Sequence, residues 1–145
     1  MKPIAENRRA RFDYEILETF EAGIALTGQE VKSAKGGHFN LNGSYAVPRH
    51  NELWLINAAI PAYQPKNAPA DYDPSRVRRL LLHQNEIKSL IGKLQQKSFS
   101  LIPLRAYLKN NFIKLELGLG KSRKKSNKRE VLKKRDSERE IRRLE

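Results

Sequence analysis

The sequence predicts a mainly β protein, built as a small closed antiparallel β-barrel with one or two helices and followed by a basic C-terminal tail. Short apolar segments alternate with tight-turn residues through the first 120 positions, which is typical of short strands. Positive charge is concentrated after those positions, in a stretch with few apolar residues. Closure of the strands into a barrel is expected because it removes the exposed edges of an open sheet.

The charge distribution divides the 145 residues into a domain and a tail. The net charge is +13, from 29 Lys and Arg against 16 Asp and Glu, and residues 121–145 carry +7 of it. The few sizeable apolar side chains in that segment do not share one face of a helix, so they cannot form a core. We therefore expect residues 1–120 to form the barrel and residues 121–145 to form a basic tail, disordered when free, with the domain edge near residues 118–120.

Strands are predicted where apolar and polar residues alternate between turn signals. The clearest case is residues 112–119, where leucines occupy alternate positions from Leu115 onwards, the period of a half-buried strand. Asn110 and Asn111 indicate a tight turn just before it. The remaining predicted strands are residues 14–17, 19–26, 41–47, 53–60, 77–82 and 98–104.

Two helices are predicted from periodicity and from their end signals. Residues 85–96 place four apolar side chains, from Ile87 to Leu94, at positions i, i+3, i+4 and i+7, which gives a helix one apolar face. Residues 29–35 form a shorter helical stretch that ends at a pair of glycines beginning with Gly36.

The composition excludes several functions. The longest uninterrupted apolar run covers residues 53–56, which is too short for a transmembrane helix or a signal-peptide core, so a soluble cytoplasmic protein is expected. Cysteine is absent, which excludes disulfides, thiol nucleophiles and thiolate metal sites. His38, His50 and His83 have no metal-ligand spacing, so no metal site is expected.

Nothing in the sequence indicates catalysis. Gly120-Lys121-Ser122 is similar to the end of a phosphate-binding loop, but that motif requires a glycine where Leu115 stands. No hydroxyl nucleophile is accompanied by an identifiable base. We therefore expect no enzyme, no cofactor and no small-molecule substrate.

The excess of positive charge predicts a polyanionic partner. One arginine triplet by itself is compatible with a solvated face, but two triplets together with a basic tail indicate nucleic acid. A membrane surface would require a basic helix with a bulky apolar face, which the tail lacks. The two triplets are Arg8, Arg9 and Arg11, and Arg76, Arg78 and Arg79.

Several motifs in chain order resemble the small protein B (SmpB) family, over residues 7–129. No single motif is decisive, but so many in the same order make a chance similarity very improbable. They are Asn7-Arg8-Arg9-Ala10-Arg11, Phe20-Glu21-Ala22-Gly23-Ile24-Ala25-Leu26, Gly28-Gln29-Glu30-Val31-Lys32-Ser33, Asp73-Pro74-Ser75-Arg76, Arg79-Leu80-Leu81-Leu82-His83, Glu86-Ile87, Pro103-Leu104, Tyr107 and Lys114.

The resemblance implies an oligonucleotide-binding-like barrel with about three flanking helices. It also implies an RNA-binding adaptor that binds the tRNA-like domain of tmRNA (SsrA RNA) and delivers it to stalled bacterial ribosomes. In this process, trans-translation, the ribosome is rescued and the nascent peptide is tagged for degradation. The implied partners are tmRNA and the ribosome, around its decoding centre and mRNA path, and the protein itself is expected to be a monomer.

The candidate site residues follow from the charge pattern and the resemblance together, with Glu21 and Leu81 included on the resemblance alone. The RNA-binding candidates on the barrel are Asn7, Arg8, Arg9, Arg11, Glu21, Arg76, Arg79, Leu81, His83, Asn111 and Lys114. The tail candidates, expected to contact ribosomal RNA and to become helical there, are Lys121, Arg123, Lys124, Lys125, Asn127, Lys128, Arg129, Lys133, Lys134 and Arg135.

The sequence departs from the family pattern at a few positions. Ser122 stands where the family usually has glycine, and Asn127 stands where it usually has an acid. The residues after Ser33 also differ from the usual ones. The basic character of the tail is retained.

Two other classes of binding protein compete with this hypothesis: a general single-strand binder and a ribosomal protein with a basic extension. A single-strand binder needs a row of stacking aromatic side chains along a groove. The sequence has one Trp, five Tyr and five Phe, and many of them fit the core positions of strands. Folded RNA, recognised by its shape and backbone, fits this inventory better.

Overall fold

A computed structural model describes residues 2–123 of the chain. Its elements in chain order are β1 (Lys2–Glu6), α1 (Ala10–Asp13), β2 (Tyr14–Ile24), α2 (Gly28–Lys35), β3 (Tyr45–Arg49), β4 (Glu52–Ile56), a 3₁₀ turn (Pro65–Asn67), β5 (Arg78–Leu81), α3 (Gln84–Leu94), β6 (Phe99–Lys109) and β7 (Phe112–Ser122). Within this part of the chain, no helix is long and apolar enough to span a membrane. The tail candidates Lys124, Lys125, Asn127, Lys128, Arg129, Lys133, Lys134 and Arg135 lie outside the described residues.

Six strands pair in a closed antiparallel ring, in the order β6–β3–β4–β5–β2–β7–β6. Strand β1 pairs with residues 105–108 of β6. The predicted closed β-barrel is therefore confirmed, and so is the implied presence of three α-helices. Leu53, Leu55, Leu101, Leu115 and Leu117 are completely buried in its core. Helix α3 packs its apolar residues Ile87 and Leu90 against the same core.

The structure contains two elements that the sequence analysis missed and adjusts the bounds of others. Strand β1 shows no alternation of apolar residues, and α1 has a single turn, so neither carries a local signal. The predicted strands 14–17 and 19–26 form one strand, β2. Only the end of the predicted strand 41–47 is extended, because Leu41 lies in a turn in which its carbonyl accepts hydrogen bonds from Ser44.

Register shifts in β1, β2 and β6 change which face of each strand the later side chains occupy. The register of β2 shifts between Ile16 and Glu18, and that of β6 shifts between Pro103 and Arg105. A single extra residue moves every later side chain to the opposite face. Beyond the bulge in β6, therefore, Ala106 points into the core while its polar neighbours point outward.

A second, smaller apolar cluster covers the outside of the barrel near α1. Ala10, Ile102 and Leu104 form it, with Tyr14 and Ile16 packed against them. Gly118 and Gly120 of β7 lie against this cluster, and their lack of side chains leaves room for it.

The glycines at positions 118 and 120 are structural positions within β7. A Cβ atom on Gly118 would lie 3.1 Å from Leu104 Cδ1, and one on Gly120 would lie 2.8 Å from the carbonyl oxygen of Glu15. The strand then continues to Ser122, and the Arg123 N–H donates to the Asp13 carbonyl at 2.9 Å. Strand β7 therefore extends two residues past the domain edge that the sequence predicts.

Candidate nucleic-acid interface

Three neighbouring strands bring Leu81, Gly23 and Lys114 into one row on the outside of the barrel. Gly23 of β2 pairs with Leu81 of β5 on one side and with Lys114 of β7 on the other. A Cβ atom on Gly23 would lie 3.2 Å from Leu81 Cβ and 3.7 Å from Lys114 Nζ, so the two side chains meet over the bare glycine. Leu81 is 44% exposed, which makes it a surface residue and not a core one.

Glu21 lies next to this row, two residues before Gly23 on β2, and both of its carboxylate oxygens are held by the protein. The Tyr107 hydroxyl donates to Oε2 at 2.5 Å, and Lys109 Nζ donates to Oε1 at 3.1 Å. The hydrogen bond from Tyr107, followed by that from Lys109, lowers the pKa of Glu21 below its ordinary value. Glu21 is therefore a fixed anion on a basic surface.

Glu116 connects this site to α1. It pairs in register with Glu21, its carboxylate lies 3.4 Å from the Arg105 guanidinium, and it lies 4.0 Å from that of Arg11. The Arg105 guanidinium also lies over the Tyr107 ring, at 4.9 Å from the ring centre. The structure thus brings the N-terminal arginine group and the Glu21 group together. We call this continuous surface the β2–β7 face; it consists of Arg11, Glu21, Leu81, Arg105, Tyr107, Lys109, Lys114 and Glu116.

Asn7 belongs to the framework of this face. Its side chain is 8% exposed, its Nδ2 donates to the Pro103 carbonyl at 3.0 Å, and its backbone N–H donates to the Leu104 carbonyl at 2.8 Å. Both carbonyls belong to the bulge of β6. Asn7 therefore holds the bulge that turns Arg105 outward, and it offers little surface of its own to RNA.

The first arginine group, which consists of Arg8, Arg9 and Arg11, is exposed. Arg8 and Arg11 line a shallow depression together with Glu6, Leu104 and Arg105. Arg9 forms an exposed ion pair with Asp13 at 3.5 Å, and its guanidinium lies over the Phe12 ring at 5.4 Å. These side chains are accessible to a ligand.

The second arginine group does not form one surface patch. Arg78, which the sequence counts in this basic group but not among the RNA-binding candidates, is completely buried, and its Nε donates to Glu30 Oε2 at 2.8 Å. Arg76, an RNA candidate, donates to Glu30 Oε1 at 2.6 Å and to the Ala25 carbonyl at 3.2 Å. Burial alone would raise the pKa of Glu30, but the hydrogen bonds from Arg76 and from the Thr27 N–H, with the charge of Arg78, lower it to about 2. This cluster connects α2 to β5.

The remaining barrel candidates are at the surface. Arg79 is about half exposed and forms an ion pair with Glu52 at 3.3 Å. His83 is exposed at the start of α3, where its backbone N–H donates to Glu86 Oε1. Asn111 occupies the tight turn between β6 and β7 with a φ of 69°, a left-handed conformation that asparagine tolerates well.

Two tail candidates lie within the described residues, at the end of β7 away from Lys114. Lys121 pairs in register with Glu15 and Phe99, and its Nζ lies 5.3 Å from the centre of the Phe99 ring. Arg123 is exposed. Across residues 2–123, no three His, Asp or Glu side chains are close enough to hold a metal ion.

Four residues of the β2–β7 face are not among the candidates that the sequence predicts: Arg105, Tyr107, Lys109 and Glu116. The signal for Glu116 is its place among alternating leucines, which puts it outward on β7. The three residues of β6 also occupy alternate positions, but an uninterrupted alternation through residues 99–109 would put them on the same side as Leu101, in the core. Only the bulge reverses them.

The comparisons with known proteins agree with one another. The model of the family described as SmpB protein matches residues 4–145. The SsrA-binding protein of Trichormus variabilis is 51% identical over 142 residues, which cover 98% of this chain and 92% of that protein. The SsrA-binding protein of Synechococcus elongatus is 48% identical over 143 residues, which cover 99% of this chain and 93% of that protein. A solved structure of tmRNA–SmpB on the bacterial ribosome is similar with a TM-score of 0.69 and 49% identity, over 84% of this chain and 85% of that one.

Proposed function

The chain belongs to the SmpB family, and on this premise we propose that it is an RNA-binding adaptor that binds the tRNA-like domain of tmRNA (SsrA RNA) and delivers it to stalled ribosomes. The result is trans-translation, in which the ribosome is rescued and the nascent peptide is tagged for degradation. The adaptor role requires binding surfaces and no chemical step by the protein. Its place of action is the cytoplasm, where bacterial ribosomes translate.

The observation that carries this proposal is the β2–β7 face. Folded RNA is recognised through its backbone, its ribose hydroxyls and the edges of exposed bases. The face offers Lys114 and Arg11 to phosphates, Glu21 as an acceptor for N–H or O–H groups, and exposed Leu81 as an apolar contact. Three of these four residues lie on neighbouring strands, so their spacing is rigid.

The tail is assigned to the ribosome. Residues 121–145 carry a net charge of +7, which suits neutralisation of ribosomal RNA phosphates around the decoding centre and the mRNA path. Its candidate residues from Lys124 onwards lie outside the described residues, so their assignment and the expected helix depend on the resemblance.

The proposal is tested by comparing two RNA ligands of equal length for binding to the full chain. One is the tRNA-like domain of the SsrA RNA of Trichormus variabilis, transcribed in vitro, and the other is an unstructured oligonucleotide. We expect the folded RNA to bind at least about tenfold more tightly, because phosphate contacts alone would treat both alike. Equal affinities would instead identify a general single-strand binder.

The affinity for the tRNA-like domain is expected to fall steeply with salt. Six basic side chains on the barrel are available to phosphates: Arg8, Arg9, Arg11 and Arg79 are exposed, and Arg105 and Lys114 are partly exposed. Because each contact releases counterions, four to six contacts predict a slope of log affinity against log salt of about −3 to −5. A titration between low and physiological salt measures it, and a flat line would contradict the electrostatic interpretation.

Replacing Glu21 is expected to weaken RNA binding without unfolding the protein. In Glu21→Ala the acceptor is lost and Tyr107 and Lys109 lose their partner, so we expect about a tenfold loss of affinity. The matched control is Glu18→Ala, which removes another exposed, ion-paired acid of the same strand. Affinity is measured beside the melting temperature of each variant. A folded Glu21→Ala protein that binds like Glu18→Ala would remove Glu21 from the site.

A further inference from the structure

The side chain of Tyr107 is an unusual support for a surface carboxylate. It is only 3% exposed, so packing fixes the ring, yet its hydroxyl reaches the exposed Glu21 at 2.5 Å. A hydrogen bond from a hydroxyl to an ionised carboxylate is stronger than one between neutral groups. The Arg105 guanidinium lies over the same ring and limits its movement further.

The carboxylate of Glu21 keeps capacity for a ligand after these contacts. A carboxylate can accept about four hydrogen bonds. Among residues 2–123, Tyr107 donates one to Oε2, and Lys109 Nζ lies within hydrogen-bond distance of both oxygens, at 3.1 and 3.3 Å. Glu21 remains 39% exposed. An N–H or O–H group of RNA therefore has access to it.

We infer that Tyr107 is a positioning residue of the RNA site, which holds Glu21 in the rotamer in which its carboxylate accepts hydrogen bonds from RNA, with Lys109 as a second anchor. A glutamate on a surface strand otherwise samples many rotamers, and ordering it on binding costs affinity. Tyr107 removes most of that cost before RNA arrives. The inference rests on the proposed function, because it requires that the β2–β7 face binds RNA.

The test is a double-mutant cycle on the full chain, with the tRNA-like domain of Trichormus variabilis SsrA RNA as the probe. Tyr107→Phe keeps the ring and removes only the hydroxyl, and we expect it to weaken binding about three- to tenfold. Combined with Glu21→Ala, it should cause no further loss, since there is then no carboxylate to hold. The matched control is Tyr72→Phe, which removes a hydroxyl that donates to the Ile60 carbonyl at 2.6 Å, and it should bind like the wild type.

Each outcome decides between the inference and its premise. Wild-type affinity in folded Tyr107→Phe overturns the inference, and so does a loss of equal size in both backgrounds, which a merely structural role would produce. Failure of the wild-type protein to bind the probe overturns the proposed function itself. If Tyr107→Phe does not fold, the cycle is repeated with Lys109→Met on an exposed side chain, where additivity with Glu21→Ala overturns the inference and non-additivity supports it.

Discussion

Truncation of the chain after Arg123 is expected to abolish peptide tagging on stalled ribosomes while leaving most of the affinity for tmRNA intact. The β2–β7 face and the core described above lie within residues 2–123, so the proposed RNA site is retained after the cut. The removed segment carries most of the tail's charge, and its sequence has too few apolar side chains to form a core of its own. The truncated protein is therefore expected to bind tmRNA without supporting its function on the ribosome.

The position of the cut follows from the fold. A truncation at the predicted edge, after Gly120, would remove Lys121, which pairs with Glu15 and Phe99, and Ser122, which pairs with Tyr14. It would thus damage the barrel, and a loss of tmRNA binding could then not be separated from a loss of peptide tagging. Cutting after Arg123 keeps these pairs and the hydrogen bond to Asp13.

Tagging is measured in a reconstituted translation system with a message that lacks a stop codon, and tmRNA affinity is measured on the same preparation. A chain whose residues 124–145 are scrambled serves as the control for charge alone. The two-part assignment would be contradicted by a truncated protein that still supports tagging, or by one that loses RNA binding and tagging together.

The buried ion pair between Glu30 and Arg78 is expected to contribute strongly to the stability of the fold. Glu30→Gln is expected to lower the free energy of unfolding by about 3–5 kcal/mol, because it leaves the completely buried Arg78 without its counter-charge. The same change also weakens the contact of Arg76 with α2. The control is Glu52→Gln, which breaks the exposed pair with Arg79 and should cost no more than about 1 kcal/mol. Urea unfolding of both variants measures the difference, and equal costs would refute the role given to the cluster.

The same cluster predicts an acid dependence. In the folded protein the pKa of Glu30 is about 2, below the ordinary value of 4.5 that it regains on unfolding. A lowered folded-state pKa stabilises the protein fully above the unfolded value, and this contribution, on the order of 3 kcal/mol, is lost as the pH falls from about 4.5 to 2. Glu30→Gln should lack that part of the acid transition. Parallel acid unfolding curves for wild type and variant would contradict it.

The elements that the sequence predicted well are those with local causes. The apolar period of α3, the alternation of β7 and the asparagine turn before it depend on residues a few positions apart. Strand β1 and α1 were missed because their support is remote: β1 exists through its pairing with β6, and α1 packs on the outer cluster.

The candidate site residues also divide into those with a signal in the sequence and those that depend on remote contacts. Glu21 and Leu81 were proposed from the family resemblance and Lys114 from its charge, and the structure places the three close together. Tyr107 and Lys109 were missed because a bulge, held by Asn7, reverses the face that they occupy. No local pattern within β6 contains that information.

The amino-acid sequence by itself determined the charge balance, the absence of thiol chemistry, the types of most elements and the family. Only the tertiary structure decided which charges face solvent and which meet each other. Arg78 and Arg79 are adjacent in the chain, yet one is buried against Glu30 and the other is half exposed. The reason is that adjacent side chains of a strand point to opposite faces, and the cost of burying a charge depends on partners that folding brings from distant positions.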